Sequence, residues 1–556
     1  MASRSRIILL SLLSGLLWAL AWPAIGGFAP IAFIAWLPLL YAERLHDRRT
    51  DGRHRAFVPY VLPALFVWNL SCSWWFACVS EPLITRLMSV GFPVLVNTVL
   101  MAVPWWLKRV VHRSHGPRVA AYAFILFWLS YERLHHDWDM QWPWFTIGNV
   151  FGTRPEMVQW YEYTGVLGGS LWVLLVSLLI DRAIVAWGTA KRSAAMPLAT
   201  GLLVLFIPWM GSRWSFNTVA IDSGPAVEVV VVQPNVDPYL EKFGGTDPLV
   251  QLDRMLDQAE AVMTDSTVLV VLPETALQEN ATVDLSGPVP RTQGLWENDL
   301  SRSRSVARIA EFQRKHTNAA VLSGMSSTYL FPAKAELPVT ARPLGDGRHW
   351  YEAYNAALWM PANGAIGSYH KSKLVAGVEL MPFERWLGPL SALTVDLGGT
   401  SGSLGSQRER SVLRDPSSGA AVIPAICYES VFGEHVAAHV RNGGNLIAVI
   451  TNDGWWGDSP GYHQHLTFSS LRAIETRRDV VRSANTGISC IIDRRGVVHR
   501  STGWWVPDAF RATVRLNDEI TFYVRYGDGV GRVALMFSAL LLIMAFVRRW
   551  RTKRSE

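Results

Sequence analysis

A chain of 556 residues that is 50% hydrophobic and only 17% charged departs from an ordinary soluble enzyme, and it is long enough for two or three domains. The net charge of +7 raises nucleic-acid binding, which the placement of the basic residues argues against, and four cysteines make no disulfide framework. The 26 tryptophans suit a bilayer interface, where one edge of an indole meets lipid and the other water.

In chain order, eight apolar stretches near 7–25, 28–42, 57–79, 88–107, 119–134, 167–186, 196–212 and 530–547 read as membrane spans. The second and seventh are short. The first follows Arg4 and Arg6 as a signal peptide does, but it shows no small-residue cleavage site and further spans follow at once, so it reads as a retained helix. Cys72 and Cys78 lie in the third stretch as packing residues, at a spacing that matches no common metal pattern. The segment 132–144 (ERLHHDWDMQWPW) reads as an aromatic interfacial belt that lines substrate access.

With the N-terminus inside, the N-tail, 43–56, 107–118, 181–193 and the C-tail carry 19 Lys and Arg, against 3 in the short outside loops 26–27, 80–87 and 132–166. The basic excess is therefore a topology signal. It places 213–529 outside the cytoplasm and both termini inside. The expected organisation is a seven-span region at 1–215, an extracytoplasmic domain at 216–525, and a last span with a basic tail at 526–556.

Within that domain, Val227–Gln233, Val268–Leu272, Ala319–Gly324, Tyr354–Trp359, Ala421–Cys427 and Asn445–Thr451 read as buried strands. Residues 297–316 and 464–480 have helical spacing with charged faces. Apolar strands alternating with helices imply a layered α/β domain. The Gly/Ser-rich stretch 398–419 reads as an exposed loop.

Three segments end in reactive side chains: Leu272-Pro273-Glu274-Thr275, Tyr369-His370-Lys371-Ser372-Lys373 and Ile426-Cys427-Tyr428-Glu429. A thiol attacks only as thiolate, a carboxylate can take its proton, and an ammonium can stabilise the oxyanion formed on a carbonyl. Together these groups suit acyl transfer through a thioester. Singly each has a plainer reading: a structural cysteine, a solvated or capping glutamate, a surface lysine. Lys373 rivals Lys371, since both share one face of an extended strand. His463 and His465 lack a third metal ligand and read as helix-start residues.

Glu274, Lys371 and Cys427 resemble the Glu–Lys–Cys triad of the nitrilase superfamily. The eight-span frame, with a domain inserted before the last span, resembles its membrane branch, the apolipoprotein N-acyltransferases. The shared motifs are Val232-Gln233-Pro234-Asn235, Leu272-Pro273-Glu274, Tyr354-Asn355-Ala356-Ala357, Tyr369-His370-Lys371, Cys427-Tyr428-Glu429, Thr451 to Gly457 (TNDGWWG), Arg482 to Gly487 (RSANTG), and the Trp22-Pro23 turn. The resemblance covers nearly the whole chain. It implies a polytopic α-helical bundle of about eight spans carrying an α-β-β-α sandwich, in a bacterial inner membrane with the catalytic domain periplasmic. It also implies transfer of an acyl chain from a membrane glycerophospholipid, through Cys427, to the α-amino group of a diacylglyceryl-cysteine on an apolipoprotein. No metal or organic cofactor and no nucleic-acid partner is implied.

By position, Glu379, Asn355, Tyr428 and Glu429 match family residues around the triad, and the family lysine follows its tyrosine by two, which favours Lys371. Where many members have His-Leu-Val-Pro-Phe-Gly-Glu, this chain has Lys373-Leu374-Val375-Ala376-Gly377-Val378-Glu379. Apolar loops are expected to meet the lipid bilayer: Leu380, Met381, Phe383 and Trp386 in one, Trp455 and Trp456 in another, the last pair being equally suited to the sandwich interior. A membrane-tethered amidase or nitrilase acting on a small amide is the alternative enzyme. The seven preceding spans favour a lipid substrate, since a soluble one needs a single anchor. A transporter or scaffold fits poorly with an intact triad and few intramembrane charges.

Overall fold

The structure, a computed structural model, describes residues 3–49, 56–188, 191–242, 245–287, 290–332, 335–383 and 403–555. The chain forms two compact units, one of Met1–Val219, Ser459–Glu475 and Thr521–Glu556, the other of Ala220–Asp458 and Thr476–Ile520.

In the first unit, six helices among the described residues are long and apolar enough to cross a membrane: Arg4–Ala21, Val58–Cys78, Leu83–His135, Val166–Trp187, Lys191–Thr218 and Gly529–Arg551. The 53-residue helix is two helices meeting at Gly116, whose φ of 82° and ψ of 174° are not helical. It therefore carries both stretches read from the sequence at 88–107 and 119–134. The stretch at 28–42 differs from expectation. It is broken into a 3-10 turn at Ala29–Ile31 and helices Ala32–Ala35 and Leu37–Arg49. Pro30 and Pro38 lie in the first turns of two of these pieces, where the missing N–H costs nothing, whereas inside a continuous helix it would.

Some of the tryptophans are placed inside the unit, while others, such as Trp106, Trp187 and Trp214, are exposed. Trp18, Trp22, Trp36, Trp68, Trp105 and Trp128 are fully buried. Trp18 stacks on Trp68 at 4.5 Å, and Trp36 meets Trp128 edge-on at 5.0 Å. In the segment 132–144, Trp144 is buried and its indole donates to Gln464 Oε1 at 2.7 Å within the same unit.

The second unit holds fifteen strands among its described residues: β1 (Ala226–Gln233), β2 (Thr267–Val271), β3 (Thr282–Asp284), β4 (Arg291–Gln293), β5 (Ala320–Leu330), β6 (Arg342–Pro343), β7 (Trp350–Met360), β8 (Gly367–His370), β9 (Leu413–Arg414), β10 (Ala421–Ile426), β11 (Leu446–Thr451), β12 (Val480–Ala484), β13 (Cys490–Ile492), β14 (Val498–Ser501) and β15 (Asp508–Arg515). One sheet runs β15-β1-β2-β5-β7-β6 with β8 also on β7, and a second runs β14-β13-β12-β11-β10-β9. Strands β1, β2 and β5 are parallel, as are β10, β11 and β12.

Alternation along the strands builds the layers. Val229 and Val231 of β1 and Leu269 and Val271 of β2 pack with Val422, Ile426, Ala448 and Ile450 of the second sheet. Their neighbours Val230, Val232 and Val270 point the other way, onto Leu252, Leu256, Ile309 and Phe312 of helices Pro248–Glu260 and Arg304–Lys315. Both helices start on side-chain caps. Asp247 accepts from Leu249 N, and Ser303 accepts from Val306 N. Strands buried on both faces are continuous apolar runs, which is why they were legible. The helix read at 464–480 ends earlier, at Thr476, and Val480 already opens β12. In the stretch read as an exposed loop, Ser403 and Leu404 are buried, Leu404 against Ala353 and Leu374.

Candidate active site

The parallel strands of both sheets deliver polar residues at their C-terminal ends, where side chains are free of the ladder. Glu274 follows β2. Its corner is fixed by Leu272 N donating to Leu322 O at 2.8 Å and Gly324 N to Pro273 O at 3.0 Å. A Cβ at Gly324 would lie 2.6 Å from Glu274 Cα, so only glycine permits this approach.

Glu274 is 5% exposed. Its Oε1 accepts from Asn355 Nδ2 at 2.8 Å and Lys371 Nζ at 3.1 Å, and its Oε2 from the Asn452 backbone N–H at 3.0 Å. Lys371 comes directly after β8 and is held by its N–H on Asn355 O at 2.9 Å. Its buried ammonium also donates to Glu379 Oε1 at 2.8 Å. Glu379 is oriented by Asn355 Nδ2 at 2.9 Å and by Val375 N at 2.9 Å. Asn355 thus grips both carboxylates from β7.

Cys427 closes β10 with a φ of 50°, a left-handed turn that lifts the side chain off the strand end. The residue reaches solvent in part. Its thiol is nevertheless set deep enough that burial pushes its pKa well up, and the Glu274 carboxylate adds to this. The Lys371 ammonium and a hydrogen bond with the Thr451 side chain act in the opposite direction. Such a cysteine rests as the neutral thiol and needs a base at the moment of attack. Glu274 and Lys371, which act on it electrostatically, place a carboxylate and an ammonium together beside the thiol.

Glu429 is fully buried and ties the segment of Lys371 to the Cys427 turn. Its Oε1 accepts from Tyr369 Oη at 2.7 Å and the N–H groups of Ser372 at 2.6 Å and Lys373 at 3.2 Å; its Oε2 accepts from Ile426 N at 2.9 Å. Burial pushes this carboxylate up, but His435 and the donors outweigh it and hold its pKa at about 2. Tyr428, also buried, meets Phe432 edge-on at 5.0 Å.

The two candidate lysines part company. Lys373 Nζ lies 5.0 Å from the Phe432 ring centroid. The loop residues divide as well. Leu380 packs on Ala353, Leu374 and Leu404; Met381 N donates to Ser403 Oγ at 3.0 Å; Phe383 is 36% exposed. Trp386 lies outside the described residues. Trp455 and Trp456 sit partly exposed in a 3-10 turn, where Trp455 O accepts from Tyr239 Oη at 3.0 Å. His463 and His465 lie in the first turns of helix Pro460–Thr476, and no cluster of three or more His, Cys, Asp or Glu suited to a metal occurs among the described residues.

Sequence reasoning missed the Asn452 N–H, Thr451 as a partner of the thiol, Gly324 and His435. Thr451 and Asn452 lie inside a motif quoted above, but a backbone N–H has no residue identity to betray it.

Comparison with known proteins agrees over both units. The carbon-nitrogen hydrolase family matches residues 231–521, and the apolipoprotein N-acyltransferase N-terminal domain matches residues 14–179. The apolipoprotein N-acyltransferase of Chlorobaculum tepidum is 30% identical over 98% of this chain and 97% of its own. That of Geobacter metallireducens is 26% identical over 98% and 96%, and that of Pseudomonas aeruginosa 28% over 84% and 82%. A solved nitrilase-superfamily structure from Saccharomyces cerevisiae aligns with 56% of this chain and 98% of its own at 15% identity and a TM-score of 0.36.

Proposed function

The chain belongs to the apolipoprotein N-acyltransferase family, an acyltransferase branch of the carbon-nitrogen hydrolases, and from that premise we propose that it acylates lipoproteins through a thioester on Cys427, with a membrane glycerophospholipid as donor. It is a membrane protein. Placement in a bacterial inner membrane, with the catalytic domain periplasmic and both termini cytoplasmic, is part of the proposal and is supported by the bias of Lys and Arg along the chain.

The observation that carries the chemistry is the Glu274–Lys371 pair, 3.1 Å apart, acting on the Cys427 thiol. Glu274 takes the thiol proton as sulfur attacks the ester carbonyl carbon. Lys371 faces the oxyanion. Collapse breaks the carbon–oxygen bond, and the proton held by Glu274 goes to the leaving alkoxide, releasing lysophospholipid. The α-amine of a diacylglyceryl-cysteine then attacks the thioester, Glu274 accepts its proton, the carbon–sulfur bond breaks, and the thiolate regains that proton. The product is an amide and the resting thiol.

The alternative of a tethered amidase or nitrilase is not favoured, because relatives that share the N-terminal helical domain as well as the hydrolase domain are acyltransferases by name.

The test is mass spectrometry of the purified protein after incubation with labelled phospholipid and no acceptor. An acyl adduct is expected on the Cys427 peptide. Cys427→Ala is expected to abolish the adduct and all turnover, while Cys490→Ala, in the buried strand β13, keeps most of both. Turnover surviving in Cys427→Ala but lost in Cys490→Ala would refute the assignment.

A further inference from the structure

One buried cation near the base has no part in the chemistry above. Lys242 lies in the turn at 238–242, a few residues after β1. Asp237 organises that turn: its Oδ1 accepts from Tyr239 N at 2.8 Å and Leu240 N at 3.0 Å, and its carbonyl from Glu241 N at 3.1 Å and Lys242 N at 2.9 Å. The side chain of Lys242 runs inward and the residue is 5% exposed. Its Nζ donates to the backbone O of Glu274 at 3.0 Å and to Thr275 Oγ1 at 2.5 Å.

Both acceptors belong to the corner that carries the proposed base. Thr275 has a φ of 48°, a conformation a β-branched residue adopts only when its surroundings impose it. A buried ammonium is costly to keep, and here burial pushes the lysine pKa down to about 8 while the Glu274 carboxylate pulls it back up. Lys371 and Asn355 donate to the carboxylate itself and so occupy its lone pairs. Lys242 instead grips the backbone beneath it. It can fix the direction of the side chain without competing for the oxygen that must accept a proton.

We propose that Lys242 is a positioning residue for Glu274, holding the Glu274–Thr275 corner so that the carboxylate faces the Cys427 thiol. The proposal rests on the thioester reading given above.

The test uses the full-length enzyme in detergent and a short-chain p-nitrophenyl ester, with the p-nitrophenolate burst reporting acyl-enzyme formation. Lys242→Met is expected to slow the burst about tenfold or more, since small misplacements of a catalytic group cost up to about a hundredfold. The KM for the ester should stay within about twofold, because a group that does not touch substrate adds no ground-state binding. Lys242→Arg should recover much of the rate. Thr275→Val removes one of the two acceptors, and with it the 2.8 Å bond from Thr275 Oγ1 to Glu274 O; it is expected to cost about threefold alone and clearly less in the Lys242→Met background, as for residues that share a contact. An unchanged burst in Lys242→Met, a raised KM at unchanged kcat, or additive losses in the double variant would overturn the proposal. If Lys242→Met does not fold, Thr275→Val decides alone, and an unchanged rate overturns it. Absence of any adduct on Cys427 in the wild type refutes the thioester reading and this proposal with it. A wild-type adduct with a normal Lys242→Met rate removes only the positioning role.

Discussion

Lys371 and Lys373 lie two residues apart and meet different partners. Strand β8 stops at His370, so the period-two rule that would put both lysines on one face no longer applies beyond it. Lys371 turns to Glu274 and Glu379, while Lys373 turns to the Phe432 ring. Lys371→Met is therefore expected to cost on the order of 10²–10³ in the rate of acyl-enzyme formation, the usual loss when one oxyanion donor is removed. It also leaves the buried Glu274 carboxylate and the partly buried Glu379 carboxylate without their shared cation. Lys373→Met removes a cation–π contact worth only about 0.5–1 kcal/mol and should leave that rate nearly unchanged. Burst kinetics on one soluble ester compare the two directly, and equal losses would leave the oxyanion lysine unassigned.

Between elements, Glu429 is the link that joins the segment after β8 to the turn after β10. Its folded pKa of about 2 lies below the ordinary 4.5, so its stabilisation is fully present above the unfolded value and is lost as pH falls from about 4.5 toward about 2. Glu429→Gln should lower stability at neutral pH by something of order 3 kcal/mol. The gap in thermal midpoint between variant and wild type should close across that acid window, and a gap independent of pH would mean that packing, not charge, makes the link. A different element, the turn of Trp455 and Trp456, is the one proposed to handle lipid. Trp455→Ala and Trp456→Ala are expected to spare acylation by a short soluble ester and to weaken use of bilayer phospholipid, whereas equal losses on both would place these side chains in the sandwich interior. The strands were legible in the sequence where burial is two-sided. The apolar pattern predicts β5 only to Gly324, but the strand runs on to Leu330, because Ser326, Thr328 and Tyr329 are partly exposed and break the apolar run. Strand β7 likewise begins at Trp350, four residues before the predicted start at Tyr354, and its first two residues are partly exposed. Glu274 and Cys427 were legible as candidates because each follows an apolar strand, and Lys371, which follows the polar strand β8, because it matches a family motif. Lys242 was not, since its partners are a carbonyl and a hydroxyl some thirty residues away, and no local pattern marks such a pairing.

Across the whole molecule, the distribution of basic residues must agree with the position of the chemistry. Several of the lysines and arginines that set the orientation are paired: Lys108 with Glu43 at 2.5 Å, Arg109 with Asp47 at 2.8 Å and Arg44 with Asp181 at 2.5 Å. This pairing does not weaken the orientation argument, because Asp and Glu contribute little to the bias that Lys and Arg impose during insertion. The 19 against 3 therefore still predicts cytoplasmic termini and an extracytoplasmic hydrolase domain. Reporter fusions test this. One placed after residue 50 or at the C-terminus should read as cytoplasmic. The internal reporter belongs in the exposed turn after β7, between Asn363 and Ala365, and not near residue 405, where Ser403 and Leu404 are buried and an insertion would break the fold. An alkaline phosphatase inserted there should be active and a green fluorescent protein dark, since the first needs an oxidising compartment for its disulfides. The reverse pattern would mean an even number of crossings before residue 219. It would put Cys427 on the same side as the basic loops and rule out the proposed extracytoplasmic maturation of lipoproteins.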